Sequence, residues 1–143
     1  MNAMRKIYLI IITIILLAFQ GKAQALQIFG GEEHDVYLGC LNCSKYDSNS
    51  IWNSYGNYGS KYNTSSIWNS YGDYGSAYSS YSPFNNYASY PPVIVDEDGN
   101  FYGYFTVNTV KSQRANFDLV LIIYKYHEQI KEDVSEWHDK IFN

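Results

Sequence analysis

Residues that carry chemistry are scarce in this chain. It has three histidines, His34, His127 and His138. On a helix His127 and His138 would share a face three turns apart, about 16 Å, too far for one metal. His127 falls on an apolar stripe, where a core histidine is the simpler reading than a ligand. No serine stands in a nucleophile-elbow pattern and no Ser/His/Asp grouping can be singled out. No glycine-rich phosphate loop leads into a helix. Glu32-Glu33 and Glu132-Asp133 read as solvated charge. The expectation is therefore no enzyme activity, no cofactor and no metal.

Basic residues are also few, 10 against 14 acidic. The first segment takes three of them. Arg5 and Lys6 precede an apolar run from Ile7 through Phe19, followed by Gly21-Lys22 and Ala23-Gln24-Ala25. That is the pattern of a secretory leader with an A-x-A cleavage site. The run is short for a membrane span, which needs about 20 residues, although an uncleaved anchor is the alternative. Cleavage after Ala25 makes residues 1–25 a signal peptide and 26–143 a single domain. It removes Arg5, Lys6 and Lys22 and no acid, leaving 7 basic and 14 acidic residues. A net charge of −7 argues against nucleic acid and against charge-driven binding to an anionic bilayer. No stable membrane span is expected once the leader is gone. The location expected is secreted, periplasmic or cell-surface.

Cysteine occurs twice, at Cys40 and Cys43. In an exported protein a disulfide is the default. A c-type haem site needs His after the second Cys, where Ser44 stands. A thioredoxin-like site needs a surrounding βαβ pattern, which is absent. A structural zinc site needs four ligands, and only His34 is near. A lipoprotein site at Leu38-Gly39-Cys40 would follow an apolar run, not Glu32-Glu33-His34-Asp35.

What the chain has in abundance lies between Tyr46 and Pro92, where ten tyrosines, two tryptophans and one phenylalanine accompany only three charges, Asp47, Lys61 and Asp73. Ser50-Ile51-Trp52-Asn53 returns sixteen residues on as Ser66-Ile67-Trp68-Asn69 and again as Ser82-Pro83-Phe84-Asn85. Tyr55-Gly56-Asn57-Tyr58-Gly59-Ser60 returns as Tyr71-Gly72-Asp73-Tyr74-Gly75-Ser76. A fixed period of this kind decides the architecture. Shifted back by one period, Cys40 and Cys43 occupy the two glycine positions, so the array runs over 39–92. In its last unit Ala88 and Pro91 replace the glycines, as atypical capping repeats do.

Turn formers interrupt this stretch too often for helix, and alternation long enough for a strand is missing. Each unit reads as a loop, with Ser-Ile-Trp-Asn as one short turn of helix capped by Ser50 or Ser66. The glycine pair would supply positive φ or close approach. Trp52, Trp68 and Phe84 become equivalent anchors of a ladder. Tyr55, Tyr58, Tyr71 and Tyr74 complete the candidate set of ladder or binding residues. A sticky low-complexity tether is the alternative.

Tandem units of the form N-x-Y-G-x-Y-G-S-x-Y-S-x-x-S resemble those of uncharacterised small exported bacterial proteins, and repeat segments appended to larger ones. The resemblance covers Leu38 to about Asn108, including Pro91-Pro92 and the following Asp-Gly segment. Trp or Phe here occupies positions that are more polar in that group. The resemblance implies export and no particular activity.

Gln27-Ile28-Phe29 and Val36-Tyr37-Leu38 suggest a short strand entering the array. Val93-Ile94-Val95 and Phe101–Val107, joined by Asp96-Glu97-Asp98-Gly99-Asn100, predict a β-hairpin over 93–108. Calcium on Asp96, Asp98 and Asn100 is the alternative, although an EF-hand places its Gly and Glu elsewhere. Val120, Ile123, His127, Ile130, Val134, Trp137 and Ile141 are spaced alternately three and four apart, which predicts one amphipathic helix over 116–142 capped by Asn116 or Asp118. Leu119–Tyr126 could instead be a strand leading into a shorter helix. The fold expected is α+β and loop-rich: a short array of sixteen-residue repeats, a hairpin and a C-terminal helix.

The function expected is a structural or protein-interaction module. A glycan-binding module using the repeat aromatics is the alternative, and so is an accessory or inhibitor protein acting through the helix. The partner is accordingly a protein or a glycan.

Overall fold

The computed structural model describes residues 3–8 and 23–143; residues 3–8 are helical. The apolar run of the expected leader lies, from residue 9 on, outside the described residues. The rest is a mixed α+β fold.

A four-stranded antiparallel sheet is formed by β1 (Leu26–Gly30), β2 (Val36–Cys40), β3 (Val93–Asp96) and β4 (Phe101–Tyr104), in the order β2-β1-β3-β4. The segment ahead of the array thus holds two strands rather than one. They turn back at Gly31 and His34, both at positive φ. The hairpin expected after the array is present as β3 and β4. Its turn is built around Asp96, whose Oδ1 accepts the backbone N–H groups of Asp98 and Asn100, each at 2.9 Å.

The array leaves the sheet at Cys40 and rejoins it at Val93, so its two ends flank β1. Its backbone follows one rule. The N–H of Asp47 bonds the carbonyl of Ser44, Ser50 bonds Asp47, Asn53 bonds Ser50, Gly56 bonds Asn53, and Ser60 bonds Gly56. The same acceptors recur at Ser60, Asn63, Ser66, Asn69 and Gly72, and again from Ser76. Each donor residue is the next acceptor. Four edges of three residues and one of four make the sixteen-residue period. The bonds therefore do not overlap as they would in a helix, and Ser-Ile-Trp-Asn forms a single corner rather than a helical turn.

The corner residues explain why. Ser44, Asp47, Ser50 and Asn53 each turn a side-chain oxygen onto the N–H two residues ahead, and so do their counterparts in the next two units. Such local bonds compete with helix and favour turns. Asn53, Asn69 and Asn85 also donate through Nδ2 to the carbonyls of Asp47, Asn63 and Ser79, bracing two edges at once.

The second glycine of each pair is required by close approach. A Cβ on Gly59 or Gly75 would lie 2.0 or 2.2 Å from the backbone oxygen of Asn53 or Asn69. Neither is at positive φ. At the equivalent position before them stands Cys43, joined to Cys40 by a disulfide.

The C-terminal region is two helices, not one: α1 (Asp118–Glu132) and α2 (Val134–Phe142). The chain breaks at Asp133, with φ −150° and ψ 85°, and its carboxylate caps α2 by accepting from Glu136 N at 3.0 Å. Neither Asn116 nor Asp118 caps α1. Phe117 holds the N-cap without a side-chain bond, and Asp118 sits in the first turn. The alternating stripe of apolar residues survives the break, with Val120, Ile123, Ile130 and Val134 all buried.

One core joins all parts. Ile28, Leu38 and Ile94 of the sheet meet Ile51, Trp52, Ile67, Trp68 and Phe84 of the array and the buried residues of both helices.

Candidate functional site

Trp52, Trp68 and Phe84 are buried in line, with ring centres 5.7 and 5.9 Å apart. The two indole N–H groups sew neighbouring segments together. Trp68 Nε1 donates to the Ile51 carbonyl at 2.6 Å and Trp52 Nε1 to that of Leu41 at 2.7 Å. A buried indole needs such a partner.

The helices close both ends of this row. His138 packs edge-on against Trp52 at 5.9 Å, and Phe142 does likewise at 5.8 Å. At the other end His127 stacks on Phe84. The Lys131 ammonium lies 5.1 Å over the same ring and bonds Ser70 Oγ at 3.1 Å and the Gly75 carbonyl at 3.3 Å. Burial pulls its pKa below the usual lysine value, with Glu128 opposing. Lys45 adds an ion pair to Asp139 at 2.8 Å. The apolar face of the helices is thus turned onto the chain's own array.

Nine of the ten array tyrosines fall into three columns of period sixteen, Tyr81 standing outside them. Tyr58, Tyr74 and Tyr90 are partly covered. Tyr58 meets Tyr37 edge-on at 5.0 Å, and Tyr90 stacks on Tyr81 at 5.7 Å. Burial, then Tyr58 and Asp47, pushes the Tyr37 phenol up to about 12. The other two columns, Tyr46, Tyr62, Tyr78 and Tyr55, Tyr71, Tyr87, point outward, with 83% to 100% of each residue exposed. Each follows a Ser or Asn corner by two residues, so the corner bond aims it. Of the residues singled out in the sequence, Tyr55 and Tyr71 are therefore on the surface, while Trp52, Trp68 and Phe84 are beneath it. Tyr46, Tyr62, Tyr78 and Tyr87 were not singled out. Their signal was available: each lies one period from another member of its column.

Between the two exposed columns lie three clefts of one design. One is bounded by Tyr46 and Tyr55 with Trp52 and Asn53, the next by Tyr62 and Tyr71 with Trp68 and Asn69, and the third by Tyr78 and Tyr87 with Phe84 and Asn85. Their volumes are about 250, 560 and 530 Å³. Every lining residue named advances by sixteen. The charges do not: Lys45 and Lys61 border the first two clefts, and Ala77 stands at that place in the third.

Both oxygens of Asp96 are engaged, Oδ2 by Asn100 Nδ2 at 2.9 Å and Tyr102 at 3.0 Å. The Asn100 bond, more than any other, holds its pKa below the usual carboxylate value. Its oxygens organise the turn that the calcium reading would have given to an ion. Among the described residues no group of three or more His, Cys, Asp or Glu is placed to hold a metal, and no helix is long and apolar enough to cross a membrane. Comparison with protein-family models, curated proteins and solved structures gives no match.

Proposed function

We propose that the chain is an exported, non-enzymatic interaction module whose contact surface is the outward tyrosine face of the array. One observation carries this reading: six tyrosines in two columns, each at least 83% exposed and with its backbone N–H held by a corner bond, frame three like clefts. An aromatic side chain left in water forgoes the stabilisation that burial would supply. One such residue needs no explanation, but a periodic set of six points to a surface that meets something else. The disulfide fits an oxidising compartment, and the N-terminal pattern and the resemblance to exported repeat proteins support the same address. The helix stripe is turned inward, which leaves the tyrosine face as the contact surface ahead of a helix-borne accessory or inhibitory role.

The test is a triple variant, Tyr55→Ser with Tyr71→Ser and Tyr87→Ser. Its thermal midpoint should stay close to that of the parent, since these rings pack against little. Association with isolated cell-envelope material, read by cosedimentation, and with itself, read by ultracentrifugation, should fall. A parent chain that associates with neither, or a triple variant that associates as well as the parent, overturns the proposal.

A further inference from the structure

We infer that the ligand of the tyrosine face is a neutral, β-1,4-linked pyranose chain lying along the array, with one sugar ring at each cleft. This rests on the reading of that face as the contact surface and names what it contacts.

Three properties of the surface select the class. The first is periodicity. Three sites that share their ring and asparagine lining, one period apart, suit a ligand that repeats along its own length. A partner without an array of its own does not repeat in this way; a second copy of this chain does, and the ultracentrifugation above separates that outcome from a sugar. The second is the step. Successive rings beneath the clefts advance by 5.7 and 5.9 Å. An extended peptide presents like faces about every 6.8 Å, and a polyproline helix about every 9 Å. Both exceed the step of the row. A β-1,4-linked pyranose chain sets down one ring and one glycosidic oxygen at a time, and a pyranose offers C–H groups on either face, so the flip between successive rings does not lengthen its repeat. The third is charge. What recurs is neutral: two tyrosines, one buried ring and one asparagine. The flanking Lys45, Lys61, Glu128, Lys131 and Glu132 do not recur at all three clefts, and none of them lines the third, where Lys131 comes near only from beneath, over the Phe84 ring. A polyanion would call for a cation at every step, and nucleic acid for a basic stripe.

The chemistry of contact follows. The C–H faces of a pyranose ring lie against an exposed tyrosine face, and the hydroxyls at the ring edge need donors and acceptors. Each phenol supplies both. Asn53, Asn69 and Asn85 use one amide hydrogen each in the turns; the amide carries a second. The corner bonds already hold the tyrosine backbone, so the ordering left for binding is that of the side-chain torsions.

The experiment titrates the mature chain with cellohexaose, chitohexaose and xylohexaose, and with shorter members of whichever series binds, following heat or tryptophan fluorescence. The expected result is affinity that climbs from one to three sugar units and flattens beyond. Tyr71→Ala, at the central cleft, should weaken it about tenfold with the thermal midpoint retained. Three outcomes overturn the inference: none of the hexasaccharides binds, affinity ignores length, or Tyr71→Ala leaves it unchanged. If the sugars fail while the triple tyrosine variant still loses self-association or envelope binding, the glycan is wrong and the contact surface stands. If that variant loses nothing, both fall.

Discussion

The imidazole of His127 lies flat on the ring of Phe84, centroids 4.3 Å apart and planes 12° apart. Burial depresses its pKa, with Glu128 opposing. A depressed folded value means that the unfolded chain binds the proton more tightly. The contribution of neutral His127 is then fully present above about pH 6.5, and is lost as pH falls through the lower folded value. Denaturant melts taken from pH 7.5 down to 5 should show a falling midpoint. His127→Gln should flatten that slope, because it leaves nothing there to protonate. A slope equal to that of the parent would assign the pH dependence to another group.

Trp68 occupies the middle of the buried row, between Trp52 and Phe84. Trp68→Ala should cost about 3–5 kcal/mol and markedly lower the unfolding midpoint. Trp68→Phe keeps one six-membered ring, gives up the rest of the indole and strands the Ile51 carbonyl; the lost hydrogen bond alone should cost about 1–3 kcal/mol. Phe84 is last in the array by sequence, yet it meets Trp68, Phe105, His127 and Lys131. Phe84→Ala should therefore cost about as much as a central residue, about 3–5 kcal/mol. An unchanged midpoint for either alanine variant would mean that the row does not bear on stability.

The two glycines of one unit should behave differently. A Cβ on Gly75 would meet the backbone oxygens of Asn69 and Ile67 at 2.2 and 2.6 Å, and main chain cannot swing away. On Gly72 it would meet only the side-chain amide of Asn69, at 3.2 Å. Gly75→Ala should lower the thermal midpoint far more than Gly72→Ala. Equal effects would point to the entropy of the unfolded chain, which both substitutions change alike.

The parts most legible in the sequence were those with a local cause. The Asp-Gly hairpin announces itself through its turn, and the stripe from Val120 to Ile141 through its spacing. The break at Asp133 was harder, because the stripe runs across it unchanged and only backbone geometry and the Asp133 cap reveal it. In the array, Ser, Asn and Asp at every third residue held the answer. Read as cap signals for a helical turn, they suggested Ser-Ile-Trp-Asn helices. Their regular recurrence, with a side-chain bond at each corner, is what keeps helix from starting. Which aromatics face inward depends on tertiary packing, so Tyr55 and Tyr58 look alike in sequence and differ in the fold. The stacking of His127 and the reach of Lys131 depend on contacts some forty to sixty residues away.

Cys40 ends β2, and its disulfide partner Cys43 stands just before the first corner of the array at Ser44. The loop between them holds Asn42, whose Oδ1 accepts from Leu26 N at 2.8 Å and whose Nδ2 donates to the Gln24 carbonyl at 2.9 Å. The crosslink thus fixes a loop that ties the start of β1 to the first coil. Closing so short a loop removes little chain entropy, about 2 kcal/mol by the loop-closure relation. Cys43→Ser should accordingly lower stability by about 2 kcal/mol without unfolding the protein. Amide exchange should then rise at Leu26 while remaining slow at Ile123 in α1. Full unfolding of the variant at room temperature would show that the crosslink supports the array as a whole. An unchanged midpoint would show that the Asn42 bonds hold the loop on their own.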